Sequence, residues 1–177
     1  CTAAPADTLP AAAPTPAPTS TPAPTAAPAP ADALTLEEKI GQLFIIRPDA
    51  LDLTLPQETI NDAKTDGVTT LTDAMRETLQ AYPVGGICQF GKNITDPEQL
   101  AQFNADLQAA SCTPLFIAVD EEGGSVARLA NASGFDLPQY QSAQAVGATG
   151  DPADARAMGQ TIGGYLKTYG LNLDFAP

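Results

Sequence analysis

The residues best suited to chemistry lie in one short segment, which reads Asp-Glu-Glu-Gly-Gly-Ser-Val-Ala-Arg over residues 120–128. Three consecutive acids repel one another, so this arrangement is costly unless something uses it. The segment follows an apolar run that predicts a buried strand, and parallel β/α folds bind ligands at the carboxyl ends of their strands. We therefore predict a binding site at Asp120. The alternative is an acidic, solvated loop in which Arg128 only neutralises a neighbour.

The composition limits the remaining chemistry. The 177 residues include 8 Lys and Arg and 21 Asp and Glu, so the formal net charge is −13, and histidine is absent. Nucleic-acid binding depends on clustered Lys and Arg, so we expect no nucleic-acid partner. Without imidazole the chain has no Ser–His or Cys–His pair and no histidine ligand for zinc. We predict neither a metal site nor an organic cofactor.

Helix and strand signals alternate along residues 35–177. Thr35 and Glu38 form a capping box, and an Asp-Pro pair begins each of two longer helices, at Asp96 and Asp151. Apolar runs predict four strands, over residues 43–46, 84–90, 115–119 and 171–175. Residues 120–150 are expected to be mostly loop. Strands separated by helices indicate parallel β/α units.

The number of strands does not distinguish an open doubly wound sheet from a barrel. The last predicted strand is followed by only two residues, however, and a complete (β/α)8 barrel takes about 250 residues. We therefore predict an α/β fold in which residues 35–177 form the first half, about four β/α units, of a TIM-type barrel truncated at its C-terminal end.

The N-terminal part differs in composition. Residues 2–34 are almost entirely Ala, Pro and Thr and hold nine of the 17 prolines. This composition predicts a disordered, semi-rigid spacer. Cys1 precedes it, as in a bacterial lipoprotein whose signal peptide has been removed. The alternative is an arbitrary starting point or a cloning remnant. We expect Cys1 to be lipidated, which would attach the protein to the membrane by a lipid anchor only.

Two further cysteines, Cys88 and Cys112, lie beside apolar stretches. An exported protein can form a disulfide, and buried free thiols explain the two residues equally well.

Four stretches together resemble the N-terminal barrel domain of family 3 glycoside hydrolases, most closely its β-N-acetylglucosaminidase branch. The strongest is residues 114–129, with Asp-x-Glu-Gly-Gly and a downstream Arg. The others are residues 36–43, residues 83–95, and the C-terminal Gly-Leu-Asn-Leu-Asp-Phe-Ala-Pro. The resemblance covers essentially all of residues 35–177.

The resemblance implies that Asp120 hydrogen-bonds sugar hydroxyls next to the cleaved bond and that Arg128 is a second sugar contact. Glu122, Gly123 and Gly124 match the motif as well, and we interpret them as shaping the turn that aims Asp120. Two positions depart from the family pattern. Ser125 replaces a usual Arg, and Lys92 replaces an Arg that often precedes the Asn.

The resemblance also implies a retaining, exo-acting β-N-acetylhexosaminidase that removes terminal β-linked N-acetylglucosamine from a glycan or cell-wall fragment. The family's aspartate nucleophile and acid–base loop would lie after Pro177, so we assign no catalytic residue here and expect the 177-residue chain alone to be inactive. Two alternatives are a non-catalytic sugar-binding surface lipoprotein and a β-glucosidase of the same family. The expected location is the bacterial cell envelope, on the outer face of the membrane.

The lipid anchor can be tested by expressing the precursor with Cys1→Ala. Because a single acyl chain binds membranes only marginally, stable attachment requires at least two chains on this cysteine. We expect the variant to move from the membrane to the soluble fraction on immunoblots after ultracentrifugation. Retention of the variant on the membrane would show that the anchor is elsewhere.

Overall fold

The computed structural model describes residues 33–177, which contain a four-stranded parallel sheet and six α-helices. Cys1 and nearly all of the predicted spacer lie outside the described residues. Among residues 33–177, no helix combines the length and the apolar character needed to span a membrane.

The elements follow one another in the alternation that the sequence predicts. The strands are β1 Ile45–Ile46, β2 Gly86–Gln89, β3 Phe116–Val119, β4 Glu121–Gly123, β5 Val126–Ala127 and β6 Leu173–Asp174. The helices are α1 Leu36–Gly41, α2 Gln57–Asn61, α3 Asp73–Ala81, α4 Pro97–Ala110, α5 Ala143–Ala148 and α6 Pro152–Thr168, with 3₁₀ turns at Pro48–Leu51 and Gly91–Asn93.

The order of the parallel strands agrees with a barrel. The strand order in the sheet is β1-β2-β3-β6, which is also the order in which these four strands occur along the chain. Every neighbouring pair is parallel. In an open doubly wound sheet the strand order instead reverses at a switch point. The α/β fold of successive β/α units, as in the first half of a TIM-type barrel, is confirmed.

The two long helices begin as predicted. Asp96 and Asp151 accept hydrogen bonds from backbone N–H groups of the first turn, and proline occupies the first helical position of each. The apolar face predicted for α4 is buried, namely Leu100, Phe103, Leu107 and Ala110. They belong to the same core as the buried strand residues Ile87, Ile117 and Val119.

The first predicted strand is shorter than expected. Only Ile45 and Ile46 pair with β2, and Leu43 and Phe44 are 81% and 55% exposed. Their N–H groups donate instead to the carbonyls of Ile40 and Gly41, both at 3.0 Å. These local bonds close the turn after α1. Phe44 therefore joins the sheet only through its carbonyl, which accepts the N–H groups of Gly85 and Gly86 at 3.0 and 3.2 Å.

Residues 120–150 hold more structure than predicted. Strands β4 and β5 form an antiparallel hairpin directly after β3, with Glu121 paired to Ala127. Helix α5 follows, capped by the Ser142 hydroxyl. The hairpin has acidic residues and glycines where a strand normally shows alternating apolar residues, so its sequence carries no period-two signal.

The cysteines do not pair with each other. Cys88 on β2 is buried, as one of the two interpretations expects, whereas Cys112 is exposed after α4. Burial, together with the nearby Asp120 carboxylate, raises the pKa of the Cys88 thiol to about 11, against smaller opposing effects of Arg47 and Arg128. Cys88 is therefore a neutral thiol at pH 7, not a thiolate nucleophile.

Lys92 fastens the loop after β1 to the end of β2. Its side chain is 4% exposed, and Nζ lies 3.1 Å from Oδ1 of Asp49, which is fully buried. Nζ also donates to the carbonyls of Thr59, Ile60 and Asp62, at 2.9, 3.3 and 3.2 Å. The ammonium is thus directed into this loop, and Lys92 stabilises local structure.

Replacing Lys92 by Met should destabilise the full-length protein strongly. The substitution leaves the Asp49 carboxylate buried without its cation, and breaking a buried ion pair by removing one partner costs about 3–5 kcal/mol. Chemical denaturation measures the free energy of unfolding. The matched control is Lys64→Met, at an exposed position, for which a change within about 0.5 kcal/mol is expected. A loss below about 1 kcal/mol in K92M would contradict the role of this ion pair.

Candidate functional site

Four strand ends meet at the carboxyl edge of the sheet. The register pairs Gln89 with Val119 and Val119 with Asp174, so the residues that follow these positions lie side by side. The Arg47 guanidinium, which follows β1, lies 3.8 Å above the ring of Phe90, which follows β2. The predicted site therefore occupies the edge at which parallel β/α folds bind ligands.

The structure brings the two predicted sugar contacts together. Arg128 Nη2 donates to Asp120 Oδ2 at 3.0 Å. Asp120 directly follows β3 and Arg128 directly follows β5, and the hairpin brings the chain back so that residues eight apart in sequence become neighbours. The residues that separate Asp120 from Arg128 in the sequence, 121–127, are thus those of the hairpin.

The pair keeps unused hydrogen-bonding capacity. The side chains of Asp120 and Arg128 are 24% and 34% exposed. Arg128 Nε is buried and has no partner among residues 33–177, and within the same range Asp120 bonds through Oδ2 alone. Because Nε is buried, the groups available to a polar ligand are the free oxygen of Asp120 and the terminal Nη groups of Arg128, which make no hydrogen bond within that range other than the one to Asp120. Hydroxyl groups can donate to the first and accept from the second.

The two glycines of the motif are required by the backbone. Gly123 and Gly124 have φ of +83° and +63°, which side chains rarely tolerate. A Cβ on Gly124 would also lie 2.1 Å from the carbonyl oxygen of Gln141. The interpretation of these glycines as turn-forming residues agrees with this geometry, and Ser125 is exposed at the tip of the hairpin.

Sequence reasoning missed the structural importance of Glu121. Its side chain is fully buried. Oε2 accepts the N–H of Leu129 at 2.8 Å, and Oε1 accepts the N–H of Ala130 at 2.9 Å and the Tyr165 hydroxyl at 2.8 Å. The sequence did carry one signal for this burial. Side chains alternate along an extended chain, so Asp120 and Glu121 point to opposite faces, and if Asp120 faces a ligand then Glu121 points into the protein.

Tyr165 is held as a donor by this contact. Burial, and then the hydrogen bond to the Glu121 carboxylate, raise the pKa of the Tyr165 hydroxyl well above its usual range. The hydroxyl is therefore protonated at every physiological pH, which the bond to Glu121 requires.

A cavity of about 400 Å³ lies between α5, α6 and the residues after β6. Glu121, Glu122 and Asp174 border it, but Asp120 and Arg128 do not. The rest of the lining is largely apolar and includes Val146 and Met158. Because sugars are recognised through directional polar contacts, we place the candidate site at the Asp120–Arg128 pair and not in this cavity. Among residues 33–177, no cluster of acidic or cysteine side chains is arranged to hold a metal ion.

Asp174 connects the last strand to the hairpin. Its Oδ1 accepts the N–H of Glu121 at 2.9 Å. The pKa of Asp174 lies above its ordinary value of 3.8, mainly because burial disfavours the charged form, and further because the carboxylates of Glu121, Asp120 and Glu122 repel it. The N–H of Glu121 opposes this shift only in part.

Asp174→Asn should stabilise the folded protein relative to the wild type, and this gain in stability should be larger at pH 7 than at pH 4. Asn keeps an oxygen acceptor for Glu121 and removes the charge. A raised folded pKa means that ionisation opposes folding, so the penalty is absent below 3.8 and grows as the pH rises through the folded pKa. Thermal unfolding of full-length protein at both pH values measures the difference in Tm.

Asp66→Asn, at an exposed position, serves as the matched control for D174N and should show no such trend. If the Tm of D174N differed from that of the wild type by the same amount at pH 4 and at pH 7, an electrostatic origin of the stabilisation would be refuted.

Comparison with known proteins finds beta-hexosaminidases among the relatives of this chain. Beta-hexosaminidase A of Pseudoalteromonas piscicida is 34% identical over 119 residues, which are 62% of this chain and 19% of that protein. The Beta-hexosaminidase of Nitrosomonas eutropha is 34% identical over 113 residues, covering 62% of this chain and 32% of that protein. The chain thus spans about a fifth to a third of these two relatives.

Solved structures agree. The chain is similar to a glycoside hydrolase family 3 beta-N-acetylglucosaminidase from Paenibacillus sp., with a TM-score of 0.64, 32% identity, and coverage of 82% of this chain and 24% of that one. It is also similar to NagZ from Neisseria gonorrhoeae in complex with N-trifluoroacetyl-D-glucosamine, with a TM-score of 0.53, 29% identity, and coverage of 62% and 33%.

The family profile described as the Glycosyl hydrolase family 3 N terminal domain matches residues 35–177, the whole of the predicted folded region. With the parallel sheet and the Asp120–Arg128 pair at its carboxyl edge, this match shows that the chain belongs to glycosyl hydrolase family 3.

Proposed function

We propose that the full-length protein is a retaining, exo-acting glycoside hydrolase, a β-N-acetylhexosaminidase that removes terminal β-linked N-acetylglucosamine. The observation that carries the proposal is the Asp120–Arg128 pair, with an unused carboxylate oxygen and unused terminal guanidinium N–H groups at the carboxyl edge of the sheet. The names of the related proteins support the same reaction and sugar.

The pair suits a neutral sugar. Asp120 accepts hydrogen bonds from hydroxyl groups, and a carboxylate that binds two of them fixes both the position and the stereochemistry of the ring. Arg128 pairs with this carboxylate at 3.0 Å and adds planar, directional donors. Hydrogen bonds that involve a charged group are about twice as strong as neutral ones, so two such residues can orient a sugar without any net charge on it.

The described carboxylates near the pair are poor candidates for the catalytic groups. A retaining mechanism needs a nucleophile and a proton donor whose carboxyl groups are about 5–5.5 Å apart across the cleaved bond. Both oxygens of Glu121 are occupied and buried. Asp174 is engaged with the backbone of Glu121. In our proposal residues 35–177 supply part of the sugar-binding site, and the nucleophile and the acid–base group come from outside them.

Attachment to the cell envelope through a lipid on Cys1 is a separate proposal. It rests on a cysteine followed by a segment rich in Ala, Pro and Thr, residues 2–34, whose composition suits a tether. A tether of this kind would hold the folded domain in water while the protein stays at the membrane.

Asp120→Ala and Arg128→Ala should each lower kcat/KM of the full-length enzyme about ten- to a hundredfold. Each variant loses hydrogen bonds to a charged group, worth about 1.5–3 kcal/mol, and 1.36 kcal/mol corresponds to a factor of ten in rate. Hydrolysis of 4-nitrophenyl β-N-acetylglucosaminide measures kcat/KM, and thermal unfolding verifies that each variant is folded.

The matched controls are Asp154→Ala and Arg156→Ala, both exposed on α6, which should retain wild-type kcat/KM. Losses below twofold in D120A and R128A, at unchanged Tm, would refute the binding role. Wild-type binding of N-acetylglucosamine without hydrolysis would favour a sugar-binding lipoprotein instead, and preference for the aryl β-glucoside would favour a β-glucosidase.

A further inference from the structure

We propose that Glu121 is a positioning residue that holds Arg128 against Asp120, with Tyr165 as its second support. The inference rests on the proposed function where activity is the readout. Neither residue contacts the sugar in this proposal, and both act through the backbone that follows Arg128.

The contacts of Glu121 fix the two peptide groups directly after Arg128. Its two carboxylate oxygens accept the N–H groups of Leu129 and Ala130, at 2.8 and 2.9 Å. Leu129 is itself fully buried in the core. The chain therefore leaves Arg128 in one direction only, set by a buried carboxylate.

Glu121 is in turn held from three sides. Its N–H donates to Asp174 Oδ1 at 2.9 Å, its strand position is paired with Ala127, and its carboxylate accepts the Tyr165 hydroxyl from α6 at 2.8 Å. Strand β6, the hairpin and helix α6 thus converge on one residue. A displacement of any of them is transmitted to the backbone at Arg128.

The electrostatics of Glu121 indicate that the carboxylate is present for its geometry. It is fully buried, and the two ion pairs found among residues 33–177 are Lys92–Asp49 and Arg128–Asp120, so no cation neutralises it. A buried charge is costly and is tolerated when hydrogen bonds satisfy it. Three donors do so here. An apolar side chain would fill the same space without that cost but would leave the N–H groups of Leu129 and Ala130 unsatisfied.

Arg128 depends on this support because its side chain has few contacts of its own. Its only side-chain hydrogen bond within residues 33–177 is the one to Asp120, and Nε has no partner there. The position of the guanidinium is therefore governed by the backbone at residues 128–130. A misplacement of about 1 Å at a substrate-positioning group can lower the rate as much as a hundredfold.

The test uses Glu121→Gln in the full-length protein. Gln has the same shape, but its amide places an N–H donor against one of the two backbone donors. We expect kcat/KM for 4-nitrophenyl β-N-acetylglucosaminide to fall about tenfold. In an R128A background the same substitution should lower kcat/KM less than twofold further, because its effect passes through Arg128. A role in general stability alone would give independent, multiplicative losses, and that result would overturn the proposal.

The matched control is Glu77→Gln, exposed on α3, for which kcat/KM should equal that of the wild type. If E121Q does not fold, Tyr165→Phe decides the matter. It keeps the ring and removes one of the three donors, so a smaller loss that also disappears in the R128A background is expected. Unchanged kcat/KM in Y165F would then count against the proposal.

A second readout separates this inference from the proposed function. Crystal structures of E121Q, or of Y165F where E121Q does not fold, should show a lengthened Arg128–Asp120 contact. Amide exchange at Leu129 and Ala130 should be faster than in the wild type. If the wild type hydrolyses none of the aryl glycosides, the proposed function fails, and these measurements still judge the positioning role. A retained 3.0 Å contact with unchanged exchange would overturn it.

Discussion

The buried carboxylate of Glu121 is the contact on which the geometry of the site region depends. It satisfies backbone donors at the end of β5 and a hydroxyl of α6, while its own N–H is bound by Asp174 at the end of β6. Asp120, the preceding residue, points to the opposite face because extended residues alternate. One carboxylate is thus used inside the protein to secure the framework that presents its neighbour at the surface.

How far the sequence predicts the fold depends on where each element obtains its hydrogen bonds and apolar contacts. Strand β3 and helix α4 combine an apolar pattern with clear end signals, and the structure has both. Leu43 and Phe44 belong to an apolar run of the same kind, yet they close a turn with Ile40 and Gly41. That outcome depends on how α1 meets the sheet, which no local pattern encodes.

The hairpin shows why part of the site escapes prediction. Acidic residues are usually exposed, so the sequence gives no reason to expect Glu121 to be buried. Its carboxylate binds backbone N–H groups, which almost every residue type carries, so the sequence does not identify these partners either. Asp120 and Arg128 could be identified because their side chains are polar at a strand end, and the resemblance supplied their role. Their contact follows only from the eight-residue return of the hairpin.

The acidic residues at this edge are managed in three different ways, which explains how they coexist. Asp120 has the Arg128 cation at 3.0 Å. Glu121 has no cation among the described residues but three donors. Asp174 has one backbone donor and three acidic neighbours, and burial and these neighbours raise its pKa. Ionisation of Asp174 is therefore disfavoured at a position that faces the hairpin backbone, whereas the carboxylate available to a ligand, Asp120, has a cation beside it.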